Sequence, residues 1–160
     1  ESGGAIYSEC DGNCSFNLSN SLFVSNTAKL HGGALNFPTI QPSLSNLTFA
    51  NNSAAYGPGI ASYVHKLSFL SIESRSLHQD EVASGQPVAS TYRVALLDHY
   101  NQVVATDYSS TASIGVYEPS KVSVQGTVKV TADGGILTFD DFIVSTDPLS
   151  TASLYFYSEY

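Results

Sequence analysis

Side chains capable of chemistry are few in this chain of 160 residues, and their spacing indicates cross-linking rather than catalysis. Cys10 and Cys14 are the only cysteines, and the turn-forming Asp-Gly-Asn between them would let the two sulfurs meet. In an oxidising compartment such a pair forms a local disulfide, and two buried free thiols are the alternative. A zinc site is not expected, because no second cysteine pair or nearby histidine pair completes four ligands.

Acidic side chains are scarce where a substrate groove would need them. Glycoside hydrolysis requires two carboxylates that flank the scissile bond. Residues 1–65 contain the acids Glu1, Glu9 and Asp11 and the base Lys29, and none of these recurs at a fixed spacing. We therefore predict that the chain is not an enzyme and that it binds no cofactor.

The histidine and aspartate patterns predict no metal site. None of the histidines has the spacing of a metal-binding motif, and each is expected to be a solvated turn residue: His31, His65, His78 and His99. Near the C-terminus, loop carboxylates could bind Ca²⁺, or could form a solvated acidic edge that discourages strand aggregation. The sequence favours the acidic edge, formed by Asp133, Asp140, Asp141 and Asp147.

Asparagine residues supply the candidate modification sites. Sequons of the Asn-x-Ser/Thr type begin at Asn17, Asn46 and Asn51, and they become glycan acceptors if the chain passes through a eukaryotic secretory pathway. The 25 Ser and 11 Thr also permit O-linked glycans. Covalent glycans are therefore expected on the chain.

Composition and charge exclude several classes of protein. A formal net charge of −8 leaves no basic surface for nucleic acid or anionic membranes. The 42% hydrophobic content excludes an intrinsically disordered chain, and no apolar run is long enough to span a bilayer. Hydroxyl and amide side chains supply most polar groups, as is typical of extracellular or cell-surface structural proteins. The chain lacks Met and begins within a repeat, so we interpret it as a processed or partial piece of something longer.

Two segments in the first 65 residues repeat 26 positions apart. Leu18–Asn26 and Leu44–Asn52 share Leu, Ser, Asn, Phe and Asn in register, and Gly3–Ile6 is echoed by Gly32–Leu35. The repeat contains short apolar pieces separated by Gly, Asn and Ser, which indicate strands and turns rather than helices. A polar loop with chance similarity is the alternative.

A repeat period of 26 residues that contains short strands predicts the coils of a parallel β-helix. Successive coils would lie about 4.8 Å apart, and equivalent residues would stack on one another. Two glycines would occupy a corner that requires a positive φ or a close backbone approach. The expected repeat ladder pairs Phe23 with Phe49, Asn26 with Asn52, Ala28 with Ala54, and Gly33 with Gly59.

The sequence Phe23-x-x-Asn26 before Gly32–Leu35 resembles the FxxN and GGA(I/L/V) repeats of the chlamydial polymorphic outer-membrane proteins and of similar protist surface proteins. This resemblance covers about residues 2–62, and it implies a right-handed parallel β-helix displayed at a cell surface. The second copy departs from the family pattern, because Gly57-Pro58-Gly59-Ile60 replaces Gly-Gly-Ala-Leu. Such a departure is expected of a terminal, capping coil.

Residues 66–160 differ in composition and predict an antiparallel β-sandwich of immunoglobulin-like type. A bulge is expected at Gly126 and a long loop at 74–91. Leu96–Val104 followed by Gly135–Phe139 resembles the L-D-x-x-N-x-V and G-x-x-x-F pattern of invasin-like and filamin-like modules. The expected strands are 66–73, 92–98, 102–106, 112–117, 122–131, 135–142 and 153–158.

The two predicted domains, 1–65 and 66–160, indicate a role in assembly. A coil of a β-helix needs neighbours above and below, and two to three coils leave unpaired backbone groups at both ends. Either further coils precede Glu1 or another subunit covers the stack, and a head-to-tail contact propagates into a fibre. The strand Leu154–Tyr157 could also complete a neighbour's sheet.

The function predicted from these features is a structural subunit of an extracellular or cell-surface filament or appendage that binds copies of itself. An adhesin stalk, or a surface module that binds glycan or protein, is the alternative. A carbohydrate-active enzyme is disfavoured by the missing carboxylate pairs.

Overall fold

The computed structural model describes residues 1–10, 14–74 and 83–158. Within these ranges the protein is all-β, with thirteen strands and no helix, so no described helix could cross a membrane. The predicted loop 74–91 lies partly outside this description, as does His78, and its last two residues, Ser90 and Thr91, instead begin a strand. The strands are β1 (Ile6–Tyr7), β2 (Asn17–Val24), β3 (Leu35–Phe37), β4 (Ser43–Ala50), β5 (Ile60–Ser62), β6 (Val64–Ser74), β7 (Ser90–Asp98), β8 (Thr111–Val116), β9 (Val122–Gly126), β10 (Lys129–Thr131), β11 (Ile136–Phe139), β12 (Phe142–Thr146) and β13 (Leu154–Ser158).

The chain divides into two compact units, and the division differs from the predicted one. The first unit contains Glu1–Lys66 and also Leu96–Thr106, and the second contains Leu67–Ala95 and Asp107–Tyr160. Residues 96–106 lie within the second of the two domains expected from the sequence, 66–160. This segment belongs to the first unit because its buried polar side chains hydrogen-bond to the end of the repeat segment.

Strands of the first unit pair in parallel with segments further along the chain. β1, β3 and β5 form one sheet in that order, and β2 and β4 form another. Phe23 lies opposite Phe49 in the second of these sheets, while Leu35 lies between Ile6 and Ile60 in the first. The chain therefore runs through one sheet and then through the other. Each such circuit, which we call a passage, stacks on the previous one.

The number of residues per passage varies, and the variation lies in the connections. Ile6 and Leu35 are 29 residues apart, the paired residues of β2 and β4 are 26 apart, and Leu35 and Ile60 are 25 apart. The longer first passage has its additional residues between β1 and β2, where a disulfide joins Cys10 to Cys14. Strand pairing is thus maintained although the connections differ in length.

The core of the first unit consists of side chains that point inward from successive passages. Leu35 and Phe37 in β3 are fully buried, and Phe23 and Ile40 pack in the same cluster. The partly buried Leu18 and Leu47 complete it from β2 and β4. Burying side chains of this size stabilises the stack by about 1.5–3 kcal/mol each.

The second unit is antiparallel. Its sheets have the strand orders β11-β7-β6, β10-β8-β13 and β12-β9. Val94 of β7, Leu137 and Phe139 of β11, and Phe142 of β12 are buried. Phe156 of β13 joins this core through its ring contact with Phe139, at a centroid distance of 4.8 Å.

Three of the predicted strands differ from the observed ones. The predicted strand 122–131 is divided into β9 and β10, since Gly126 has a φ of +91° that ends the regular ladder. The predicted strand 135–142 is likewise divided, because Asp141 has a φ of +51° between β11 and β12. Residues 102–106 form no strand, and only Val103 makes an isolated bridge, to Leu97.

Candidate functional site

The aromatic position of the repeat is buried in the first copy and exposed in the second. The Phe23 and Phe49 rings are stacked with centroids 5.6 Å apart and an interplanar angle of 19°. Phe23 is 9% exposed and Phe49 is 37% exposed. The structure therefore brings this predicted pair together, with Phe49 as the outer ring.

Asparagine side chains connect adjacent passages at two levels. The backbone N and Nδ2 of Asn26 both donate to Oδ1 of Asn52 at 2.9 Å, and Asn52 Nδ2 donates to the Phe23 carbonyl at 2.9 Å. A second pair, which was not among the expected ladder pairs, is formed where Asn46 Nδ2 donates to Asn20 Oδ1 at 2.7 Å. Asn20 and Asn46 both have a φ of +49°, a conformation that Asn tolerates better than most residues. Their in-register recurrence was the available signal.

The alanine position of the ladder, Ala28 and Ala54, keeps the 26-residue register. Thr27 and Ser53 form a parallel bridge, and the next residues are Ala28 and Ala54. Ala28 is buried, whereas Ala54 is half-buried. The offset between paired residues then falls by one, because the next bridge joins His31 to Tyr56, which is 25 positions later.

The predicted pairing of Gly33 with Gly59 is displaced by this one-residue deletion. Gly32 and Gly57 are the equivalent corner residues, with φ values of +62° and +60° that glycine adopts without strain. Gly33 has a different role, because its N donates to the Gly57 carbonyl at 3.0 Å and a Cβ there would collide with the Pro58 carbonyl. Of the two consecutive glycines, Gly32 thus provides the turn, and Gly33 permits close approach of the next passage.

One end of the stack is closed by a buried carboxylate from the Leu96–Thr106 segment. Asp98 is fully buried and accepts hydrogen bonds from Tyr56 Oη at 2.5 Å, Ser62 N at 3.3 Å and Tyr100 N at 2.8 Å. It also accepts bonds from the N and Nε2 of Gln102, at 2.9 and 3.1 Å. A buried carboxylate needs several such donors to compensate for its lost hydration.

The same segment supplies partners for the outer edge of β5. Gln102 Nε2 donates to the Ile60 carbonyl at 2.9 Å, and the His99 N donates to Ser62 Oγ at 3.0 Å. Pro58 has no N–H, although the equivalent Gly33 donates to the following passage. Unpaired groups were expected at both ends of the stack. At this end the chain itself provides partners for β5, whereas β4 pairs only with β2 among the described strands.

The tyrosines around Asp98 stay protonated at neutral pH. Burial, and then the Asp98 hydrogen bond and charge, raise the pKa of Tyr56 above its usual value. Burial and the Asp98 charge raise the pKa of Tyr100 to about 12. Tyr56 is therefore available as a hydrogen-bond donor to the carboxylate throughout the physiological range.

The opposite edge of the stack is uncovered in the part of the chain that the structure describes. There β1 pairs only with β3, and β2 pairs only with β4. The Ser25 N donates to Ala50 of β4 at 2.9 Å, so the alternation of a strand directs the Val24 N–H away from β4. β2 also exposes Leu22 and Val24, which are 66% and 45% accessible. This edge can accept another strand.

Two histidines that are distant in sequence meet in the first unit. The His65 and His99 rings are stacked with centroids 3.8 Å apart, and His99 Nε2 lies 2.7 Å from Tyr63 Oη. Burial, followed by the neighbouring His65, lowers the pKa of His99, and Asp98 opposes this shift. The prediction of separate solvated turn residues missed this pairing, which nothing in the local sequence marks.

We expect the free energy of unfolding to fall as the pH is lowered through the ordinary histidine range. Because the folded-state pKa of His99 lies below its usual value of 6.5, the unfolded chain binds more protons as the pH decreases. The measurement is chemical denaturation from pH 7.5 to 5.5, with His99→Gln expected to flatten the profile. A His99 imidazole that titrates at or above 6.5 by NMR would contradict this assignment.

The other predicted sites lie on the surface of their units. Asn17, Asn46 and Asn51 are exposed, and Asn46 Nδ2, the atom to which a glycan would attach, would keep one hydrogen for its bond to Asn20. His31 is half-buried beside Ser2 Oγ at 3.1 Å. Within the described ranges, no cluster of three or more His, Cys, Asp or Glu side chains could hold a metal ion. The predicted acidic edge is exposed at Asp133, Asp141 and Asp147 and half-buried at Asp140.

Comparison of the chain with family models, with curated proteins and with solved structures finds no match. The candidate site is therefore defined by its geometry alone. It comprises a stack of parallel strands with a capped end at β5 and an uncovered edge at β2.

Proposed function

We propose that the chain is a structural subunit of an extracellular filament or appendage, assembled by strand pairing between copies. The first unit would be a short right-handed parallel β-helix of the type implied by the GGA(I/L/V) and FxxN resemblance. The antiparallel sheets of the second unit would form an immunoglobulin-like module. The Cys10–Cys14 disulfide and the exposed sequons are compatible with an oxidising, extracellular location.

The observation that carries this proposal is the difference between the two ends of the stack. The outer edge of β5 is occupied by Asp98 and Gln102, so a further coil cannot pair with β5 in the way that β5 pairs with β3. The β2 edge presents main-chain groups and exposed apolar side chains, a combination that attracts another strand. β13 is a second edge strand, because it pairs only with β8 among the described strands.

Pairing of β2 in one copy with β13 in another would join two different surfaces. Such a heterologous contact repeats without closing unless its rotation forms a ring, and it therefore produces a fibre. No catalytic group is required, and the chain acts through its main-chain edges. This role agrees with the scarcity of carboxylates in residues 1–65.

The proposal is tested by following assembly of the purified chain by light scattering and electron microscopy. We expect concentration-dependent fibres from the unmodified chain. Val24→Pro should abolish them, since it removes the N–H directed outward from β2. Val24→Thr is the matched control, because it retains that N–H and a similar shape, and it should still assemble.

A monomer at every concentration tested would contradict the proposal. Circular dichroism and thermal unfolding establish whether the proline variant is folded. If it is not, Leu22→Lys provides a second test, since it adds a charge to the exposed part of β2 without changing the backbone. Fibres that persist in folded Val24→Pro and Leu22→Lys chains would exclude β2 as the assembly edge.

A further inference from the structure

Three tyrosines form a continuous aromatic surface on one face of the β10-β8-β13 sheet. Tyr117, Tyr155 and Tyr157 are 68%, 38% and 42% exposed. The ring centroids of Tyr117 and Tyr155 are 4.9 Å apart at an interplanar angle of 56°, and those of Tyr155 and Tyr157 are 5.7 Å apart at 41°, so the rings adjoin one another but do not share a plane. We refer to these three side chains as the tyrosine platform. It belongs entirely to the second unit.

Alternation along β13 places the platform on the outer face. Phe156 packs against Phe139 in the core, so its neighbours Tyr155 and Tyr157 point to the opposite side of the sheet. Tyr155 pairs with Gly115 of β8, where a Cβ would collide with the tyrosine ring. The ring therefore lies against the backbone of β8 and is held by it, which fixes the middle of the platform.

The surroundings of the platform are polar but carry little charge. Tyr157 pairs with Ser113, and Ser113 pairs in turn with Lys129 of β10. In β8, β10 and β13, Lys129 is the one charged side chain on this face, and the other polar positions are hydroxyls. This arrangement suits a ligand that has both apolar faces and many hydroxyl groups.

A groove continues from the platform beside Tyr117. It has a volume of about 260 Å³ and is lined by Tyr117, Glu118, Val122, Thr151 and Ser153. Its carboxylate and hydroxyl oxygens could bind the ring substituents of a ligand that lies across the platform. The groove thus adds hydrogen-bonding groups at one end of an aromatic surface.

We infer that the tyrosine platform binds an uncharged polysaccharide built from β-linked pyranose rings. The equatorial hydroxyls of such sugars leave flat C–H faces that pack on aromatic rings, and the separations of the tyrosine rings are similar to the length of one sugar residue. Tyrosine combines an apolar ring with a hydroxyl, so it contacts both parts of such a ligand. A highly charged peptide would find only Lys129 and Glu118 as charged partners here, and an anionic membrane surface would require several basic residues. The platform uses the outer face of β13, whereas the proposed assembly uses the main-chain edge of the same strand.

The test measures retention of the purified chain on insoluble cellulose, chitin and mannan, with dissociation constants from depletion isotherms. We expect binding to at least one of them. Tyr117→Ala and Tyr157→Ala should each weaken it at least tenfold, and Tyr155→Phe should preserve it because the ring remains. Tyr108→Ala is the matched control, since Tyr108 is 64% exposed but makes no ring contact with the platform.

Two results would overturn the inference. The first is failure of the unmodified chain to bind any of the three polysaccharides. The second is binding that Tyr117→Ala and Tyr157→Ala leave unchanged. If these variants instead dissociate an oligomer while polysaccharide binding is absent, the platform is a contact between copies. Since Val24→Pro blocks only the strand edge, loss of assembly and loss of glycan binding are separable.

Discussion

We expect Gly33→Ala to destabilise the first unit by about 3 kcal/mol or more, at the upper end of the overpacking range. A Cβ at this position would collide with the Pro58 carbonyl and lie within contact of the Ser53 backbone. Both neighbours are main-chain atoms of the next passage, so neither can move as a flexible side chain would. The measurement is the free energy of unfolding from urea denaturation, monitored by circular dichroism.

Gly59→Ala is the matched control for this prediction. A Cβ on Gly59 would lie 3.3 Å from the side chain of Phe49. That ring is 37% exposed and can shift toward solvent, so we expect a change within about 1 kcal/mol. If the two variants were equally destabilised, Gly33 and Gly59 would be equivalent positions and the observed register would be wrong.

We expect Asp98→Asn to cost about 1–3 kcal/mol for each buried donor that it leaves without an acceptor. The carboxylate accepts bonds on both oxygens, two on Oδ1 and three on Oδ2. An amide in either orientation would turn an NH₂ group toward backbone N–H donors, which would leave buried donors unsatisfied. Chemical denaturation measures the loss.

Asp147→Asn serves as the control for Asp98→Asn, because it makes the same chemical change at an exposed position. We expect it to alter stability by less than about 0.5 kcal/mol. A tolerated Asp98→Asn would show that the Leu96–Thr106 segment is not required to cap the stack. A third variant, Gln102→Ala, would then show whether the Ile60 carbonyl needs its partner.

The stacked positions of the first unit could be predicted from the sequence because each repeats a side chain with a distinctive requirement. Phe23 and Phe49 are large apolar residues at equal spacing, and Asn26 and Asn52 carry amides that bond to copies of themselves. The partner of Gly33 at the glycine corner could not be assigned in this way. Gly57 and Gly59 are separated by one residue, so the motif permits two alignments that differ by one position.

The capping of the stack could not be predicted in this way, because its partners are distant in sequence. Asp98 is the last residue of the expected strand 92–98, and it also begins a turn in which Asn101 N donates to the Asp98 carbonyl at 3.1 Å. Its capping role depends on Tyr56 and Ser62, which precede it by 42 and 36 residues. The same reason concealed the stacking of His65 on His99. A single side chain with several long-range partners leaves no periodic signal.

The unequal passages have a practical consequence for protein engineering. All of the length variation lies in the connections, while paired residues of β2 and β4 keep a constant offset of 26. A foreign peptide grafted at the exposed Gln41, beyond the buried Ile40, would therefore project as a display loop, and the flanking strands would retain their alignment. The first passage already illustrates this tolerance, since its longer connection is cross-linked at the base by Cys10 and Cys14. A graft with its own cysteine pair should be accommodated in the same manner.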